Sequence, residues 1–304
     1  MATANMDAQN APVIGKSNIQ LASDRMTPEA LWAMGRISDY QVSPDGQSVV
    51  YQVGYYSVEQ NKSHHVLYTM NIDGSNQQLL TTSAKSETDA SWIDGGKKIA
   101  FLSGGQLWTM NADGTDRKQI SRLERDIEGY SFSPDEKHVL TIESLPFTGS
   151  IEAKPADLPK TTGRVVNDLN YRHWDHYVES ITHPFVYNIS PLGELEGAGI
   201  DILEGEPYEC PLAPFGGIEQ LAWSPDSKTI AYTSRKKTGV AYAISTDSDI
   251  FIYNIGTRET KNLCKPEGYV EPAIDPTKSM ANQPINHMPE DCNVGYDTNP
   301  KFSP

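Results

Sequence analysis

The sequence has no apolar run of about 18 residues, so it offers no helix that could span a bilayer. It is also short of positive charge. Its 25 Lys and Arg are outnumbered by 40 Asp and Glu, a formal charge of −15. Such a surface repels phosphate backbones and anionic lipid, which argues against nucleic acid and membrane insertion. It favours cationic groups, including the free amino end of a peptide. Cysteine is scarce: Cys210, Cys264 and Cys292 lie far apart and never in CxxC spacing. They support neither a zinc site nor a disulfide-dense scaffold. No phosphate-binding GxxxxGK loop occurs, so no cofactor is expected. The first 26 residues lack a positive stretch followed by an apolar one, and no signal peptide is visible.

What is present is a repeat. An apolar residue, a tight turn and a β-rich run recur as VSPDGQSVVY from Val42, WIDGGKKIAF from Trp92, FSPDEKHVLT from Phe132 and WSPDSKTIAY from Trp223. A fifth copy starts at Phe302. Ser at the first turn position, Pro fixing φ at the second, and Asp next suit a type I turn. The Val-, Ile- and Tyr-rich run that follows suits a half-buried strand. A second landmark follows each of the first four: LYTMNIDG from Leu67, LWTMNADG from Leu107, FVYNIS from Phe185 and IFIYNIGT from Ile250. The Asp-Gly pairs at 73–74 and 113–114 are hairpin-turn signals. Each unit therefore reads as four short strands, one blade of a β-propeller. The fold class expected is all-β: a propeller of four-stranded antiparallel blades, about four complete with the start of a fifth, and a short N-terminal helix.

Blades of this kind run about 40 to 50 residues, and the step from Phe132 to Trp223 is about twice that. The second landmark places the excess inside the third blade, at about 145–183, with another insertion at about 265–298. The remaining organisation is a tail over 1–26, an opening helix over 27–36 and a partial propeller over 37–304. Thr27 is the expected helix cap, Pro28 the first helical residue and Gly35 the stop, with Leu31 and Met34 sharing an apolar face. Trp92, Trp108, Trp223, Phe132 and Phe251 occupy repeat positions and read as blade core.

The stretch MTPEALWAMGRISDYQVSPDGQSVVYQV (Met26 to Val53), the motif YRHWDHY (Tyr171 to Tyr177) and the run GYDTNPKFSP (Gly295 to Pro304) resemble acylaminoacyl-peptidase and dipeptidyl-peptidase-like members of the prolyl oligopeptidase family. The resemblance covers residues 26 to 304. It implies the propeller of a serine exopeptidase that releases dipeptides or acylated residues from oligopeptides. The propeller's part would be gating and substrate positioning. The chemistry would lie in an α/β-hydrolase domain missing from this chain, since no GxSxG nucleophile elbow occurs in it. The segment alone is therefore expected to be inactive, and the chain to continue past Pro304. The resemblance also implies a periplasmic or secreted location and leaves room for a homodimer of the full-length enzyme. The SPDG motif by itself is shared with TolB-type periplasmic propellers, so a non-enzymatic scaffold that binds a protein partner is the alternative.

No catalytic residue is assigned. For substrate binding, YRHWDHY supplies Arg172 to grip a carboxylate or carbonyl, Asp175 to bind an ammonium and Trp174 to pack against a side chain. The plainer account is a loop pinned by an Arg172–Asp175 ion pair and anchored by Trp174. His173 and His176 lack a third ligand of recognisable spacing, so no metal is expected. Glu152, Asp157, Glu204, Glu206 and Glu271 are further carboxylates for a substrate amine, unranked by the sequence.

Overall fold

The β-rich run of each repeat is buried along most of its length, not half-buried with the alternation expected of it, because a central strand is covered on both faces. In a computed structural model, which describes residues 14–20, 23–147, 149–275, 277–286, 292 and 295–303, the strands pair as four antiparallel four-stranded meanders. The first comprises β1 (Arg36–Val42), β2 (Ser48–Ser57), β3 (Lys62–Asn71) and β4 (Gln78–Leu79). The second comprises β5 (Glu87–Ile93), β6 (Lys98–Ser103), β7 (Gln106–Asn111) and β8 (Lys118–Gln119). The third is built from β9 (Ile127–Phe132) and β10 (His138–Pro146). After a two-stranded hairpin of β11 (Arg172–His173) and β12 (His176–Tyr177), it continues with β13 (Ser180–Ile189) and β14 (Leu195–Asp201). The fourth runs β15 (Leu221–Trp223), β16 (Thr229–Ser234), β17 (Asp249–Asn254) and β18 (Thr260–Asn262). These are propeller blades, in line with the repeat.

The chain divides into two compact units, Met1–Glu124 with the first two blades and Arg125–Pro304 with the third and fourth. Within each, two blades pack face to face. Val50 and Leu67 of the first blade meet Ile99, Phe101 and Met110 of the second. Leu140, Ile142 and Val186 of the third meet Ile230, Tyr232 and Phe251 of the fourth. Burying a side chain of this size contributes roughly 1.5–3 kcal/mol, so these faces outweigh any single polar contact.

The SPDG turns close as their residues require. The Gly46 amide donates to Ser43 O, and the amides of Glu136 and Ser227 do the same to Ser133 and Ser224, all at 2.8–2.9 Å. In each turn the Ser hydroxyl donates to the Asp two residues on, at 2.6–2.8 Å. This holds the Asp45, Asp135 and Asp226 carboxyls below their ordinary range, Asp135 at about 2. The Asp-Gly pairs turn β3 into β4 and β7 into β8, with the amides of Gly74 and Gly114 donating to Asn71 O and Asn111 O at 2.9 Å.

Two further expectations need correction. Of the aromatic repeat residues only Phe251 is fully buried; Trp92, Trp108, Trp223 and Phe132 are half-buried at the rims of the cores. For the three tryptophans, the indole N–H reaches a backbone acceptor at the core's edge. Trp92 donates to Gln41 O of the first blade at 3.1 Å, and Trp223 donates to Ser131 O of the third at 3.2 Å. Gln41 and Ser131 each directly precede a first landmark, so the same strap joins the two blades of both units.

The opening helix α1 spans Pro28–Ala33, capped by the Thr27 hydroxyl accepting from the Ala30 amide at 3.2 Å. Its buried residue is Ala30; Leu31 and Met34 are exposed. Gly35 is not a left-handed stop. A side chain there would meet the Tyr55 ring at 2.8 Å and Val53 at 2.9 Å, so glycine lets the backbone lie against β2. Of the tail over 1–26, residues 1–13 and 21–22 lie outside the described residues. So do 276, 287–291, 293–294 and 304 of the C-terminal stretch, whose described part holds short 3-10 turns at Met280–Asn282 and Pro284–Asn286.

Candidate functional site

In a four-stranded meander, the turns after the first and third strands fall at one end of the blade. The links after the second and fourth fall at the other. The SPDG and Asp-Gly turns therefore share one end, and they are short. In the second unit every long segment leaves from the opposite end: 147–179 after β10, 202–217 after β14, 235–248 after β16 (with α2, Gly239–Ile244) and the stretch beyond β18. Irregular segments on a rigid scaffold are where binding groups concentrate.

Three of these segments meet at Glu209, a buried carboxylate. His173 Nε2 of the hairpin lies 3.0 Å from Glu209 Oε2, and the Tyr242 hydroxyl of α2 donates to Oε1 at 3.3 Å. The Ser234 hydroxyl, at the end of β16, donates to Glu209 O at 3.1 Å. The Arg235 guanidinium sits 3.8 Å over the Tyr242 ring. Burial, and next the nearby Glu209 charge, push the Tyr242 phenol up to about 12. The Asp168 carboxylate accepts from the Gly239 amide at 2.9 Å, joining 147–179 to α2 a second time.

Beside this junction runs a chain of alternating charges. Glu271 pairs with Lys237, Lys237 with Asp247 at 3.2 Å, Asp247 with Lys265 at 3.2 Å, and Lys265 with Asp249 at 2.8 Å. Lys237, Asp247 and Lys265 have little exposed side-chain surface, so each cation needs its two carboxylates to offset lost hydration. Burial draws the Lys265 ammonium down, but its bonds to Asp249 and Asp247 outweigh that and its pKa rises. Ligand atoms of Asp249, Cys264 and Asp297 lie within 4.8 Å of one another, a spacing a metal could bridge. Lys265 and the Asn262 amide (2.7 Å) already bond Asp249, and Cys264 Sγ accepts from the Ile250 amide at 3.3 Å.

The hairpin tip is highly exposed. Trp174 is 73% exposed and packs edge-on against Phe215, itself 76% exposed, with centroids 4.9 Å apart. Trp174 has φ +51°, a conformation costly to a bulky residue. Arg172 holds it there, Nε donating to Trp174 O at 3.0 Å and Nη2 to Asp175 O at 3.5 Å. The expected Arg172–Asp175 ion pair is thus replaced by bonds to carbonyls, because the left-handed turn aims those oxygens at the guanidinium. Asp175 bonds His176 Nδ1 at 3.0 Å, and its carboxyl lies below the usual range chiefly for that reason. Trp174 does not anchor the loop; the buried His173 does.

The structure therefore brings Arg172, Trp174 and Asp175 to one tip. Of the other carboxylates, Glu206 pairs with Lys236 and Glu271 with Lys237, while Glu152, Asp157 and Glu204 are exposed. His173 and His176 pair across the hairpin with ring centroids 6.4 Å apart, one buried on Glu209 and the other exposed on Asp175. Glu209, Tyr242 and Phe215 were not singled out by sequence. Glu209 lies 36 residues from His173 and 33 from Tyr242, and no local spacing announces such contacts.

No family model matches the chain. Among curated proteins it is 44% identical over 285 residues to dipeptidyl-peptidase 5 of Porphyromonas gingivalis, a match covering 92% of this chain and 38% of that protein. It is 38% identical over 286 residues to dipeptidyl-peptidase 5 of Porphyromonas endodontalis, covering 93% and 37%. The chain thus spans well under half the length of these relatives. Among solved structures, an acylaminoacyl peptidase bound to a peptidyl chloromethyl ketone matches with a TM-score of 0.53 at 14% identity, over 77% of this chain and 33% of that one. The Pyrococcus horikoshii acylaminoacyl peptidase matches with 0.51 at 15% identity, over 77% and 32%. The chain is a β-propeller domain, similar in sequence to part of dipeptidyl-peptidase 5 and in fold to part of the acylaminoacyl peptidases. Both of these sequence relatives are dipeptidyl-peptidase 5 proteins.

Proposed function

We propose that this propeller gates and positions oligopeptides for a serine exopeptidase that releases dipeptides, with the covalent chemistry in an α/β-hydrolase domain outside these 304 residues. The observation that carries the reading is 44% identity across 92% of the chain to a dipeptidyl-peptidase 5. The hairpin tip supplies the substrate contacts: Trp174 with Phe215 against an apolar side chain, Asp175 toward the peptide ammonium, and Arg172 holding the tip in shape. An exposed aromatic pair on strained backbone costs stability in the free protein, and contact with substrate offsets that cost. A periplasmic or secreted location, where oligopeptides are met, belongs to the same proposal, as does a homodimer of the full-length enzyme.

The test compares the full gene product with residues 1–304 alone, using a serine-directed fluorophosphonate probe and a fluorogenic dipeptidyl amide. Labelling and dipeptide release by the full product only are expected. Activity in the 304-residue chain, or none in the full product, overturns the reading. Trp174→Gly, which tolerates the left-handed backbone, should keep the melting temperature and raise KM several-fold. An unchanged KM removes the tip from the site.

A further inference from the structure

The first unit carries a cleft of about 400 Å³ lined by residues from α1, β1, β2, β3 and the β2–β3 turn: Trp32, Arg36, Tyr56, Ser57, Val58, Asn61, Lys62 and Ser63. Arg36 opens β1, and the β2–β3 register sets Tyr56 opposite Ser63 and Ser57 opposite Lys62. The Arg36 guanidinium lies 4.8 Å from the Trp32 ring centroid and 4.4 Å from that of Tyr56. The two rings meet edge to face at 5.6 Å. Contact with two ring faces restricts the arginine to one arrangement before any ligand arrives.

The charge is out of character for this protein. In a chain of net charge −15, the charged residues of the lining are one arginine and one lysine. Glu29 and Glu59, carboxylates of the same segments, are not part of it. Among the described residues, neither Arg36 nor Lys62 forms an ion pair, and no acceptor takes an Arg36 N–H. The hydroxyls of Ser57 and Ser63 and the Asn61 amide add donors, while Trp32, Tyr56 and Val58 form an apolar wall. A planar fork of N–H donors beside an ammonium matches a carboxylate, and the volume lies in the range of small-molecule sites.

We propose that this cleft is a second binding site, separate from the hairpin tip, for a small carboxylate with an apolar body, such as the C-terminal residue of a short peptide. Arg36 takes the carboxylate in two parallel hydrogen bonds, Lys62 adds charge, and Trp32 and Tyr56 flank the apolar part. The site does not depend on the peptidase reading, because its ligand is recognised by the opposite charge.

The experiment titrates the full gene product by calorimetry with N-acetylphenylalanine, its uncharged amide and phenyl phosphate. The acid should bind at least tenfold more tightly than the amide. Arg36→Gln should remove that preference, and so should Ser63→Asp, which leaves Arg36 in place and brings a competing carboxylate into the cleft. Both variants should melt like the parent. Equal binding of acid and amide, no binding of the acid, or an acid preference that survives both variants overturns the proposal. Tighter binding of phenyl phosphate than of the acid overturns the assignment to carboxylates.

Discussion

The two compact units start from the same repeat and end differently. Each stacks two four-stranded blades, buries an aliphatic and aromatic face between them, and ties their first strands through a tryptophan N–H. Each also buries one carboxylate with an arginine: Glu87 with Arg117 in the first unit, Glu143 with Arg125 in the second. The first unit keeps its links short, whereas the second extends them into loops that converge on Glu209 and the Lys237–Asp247–Lys265 chain. The blade core tolerates such growth because a link at the end of a meander leaves the strand pairing inside it untouched. The grown loops then have to satisfy their own buried polar groups, and they do so with ions, since loop composition leaves them little apolar surface.

The largest effects should fall on what the units share. Arg125→Ala leaves Glu143, fully buried and bonded also to Tyr187 (2.7 Å) and Thr141 (2.8 Å), without its cation. A loss of about 3–5 kcal/mol is expected in chemical denaturation. Arg117→Ala should cost the first unit a similar amount. A cost below about 1 kcal/mol in either would break the parallel.

Next comes the element only the second unit has. Glu209→Ala strands His173 and Tyr242 and should cost about 2 kcal/mol. Hydrogen exchange should accelerate in 171–178 and 239–244 while β16 and β17 keep their protection. Loss of protection in the strands would mean that the loops hold the blade, the reverse of the comparison drawn here.

A smaller change tests the strap. Trp92→Phe and Trp223→Phe each remove one hydrogen bond and little packing, for about 1 kcal/mol apiece. Unequal costs would show that the repeat position is not equivalent in the two units.

The smallest effect is a pH effect. The depressed carboxyls of Asp45, Asp135 and Asp226 contribute stability above the ordinary carboxylate range, and it is lost as pH falls from about 4 toward the folded pKa, about 2 for Asp135. The second unit has two such turns and the first has one. Ser133→Ala should raise the Asp135 pKa toward its ordinary value in an NMR titration.

The sequence made the blades legible because their information is local. Ser43-Pro44-Asp45-Gly46 closes its own turn with its own side chains, and the Val- and Tyr-rich run from Val49 to Tyr55 forms the strand its residues favour, although it is buried almost continuously where alternation was expected. The repeat placed Trp92 and Trp223 against the blade cores, but only the fold supplied Gln41 O and Ser131 O as acceptors for their indole N–H groups. The motif Tyr171 to Tyr177 folds as a hairpin, but its internal contacts differ from those expected. Arg172 reaches carbonyls that only a left-handed Trp174 presents, and the anchor is His173, through a carboxylate far along the chain.

Sequence alone therefore determined what depends on neighbours within a few residues: turn type, helix cap and the strands that follow each turn. Tertiary structure decided which charges are buried together, as with Lys237, Asp247 and Lys265, and which are left open, as with Arg36 and Lys62. The physical reason is range. A hydrogen-bonded turn is closed by adjacent residues, whereas the hydration lost by a buried ion is replaced by whichever opposite charge the fold carries to within about 3 Å of it.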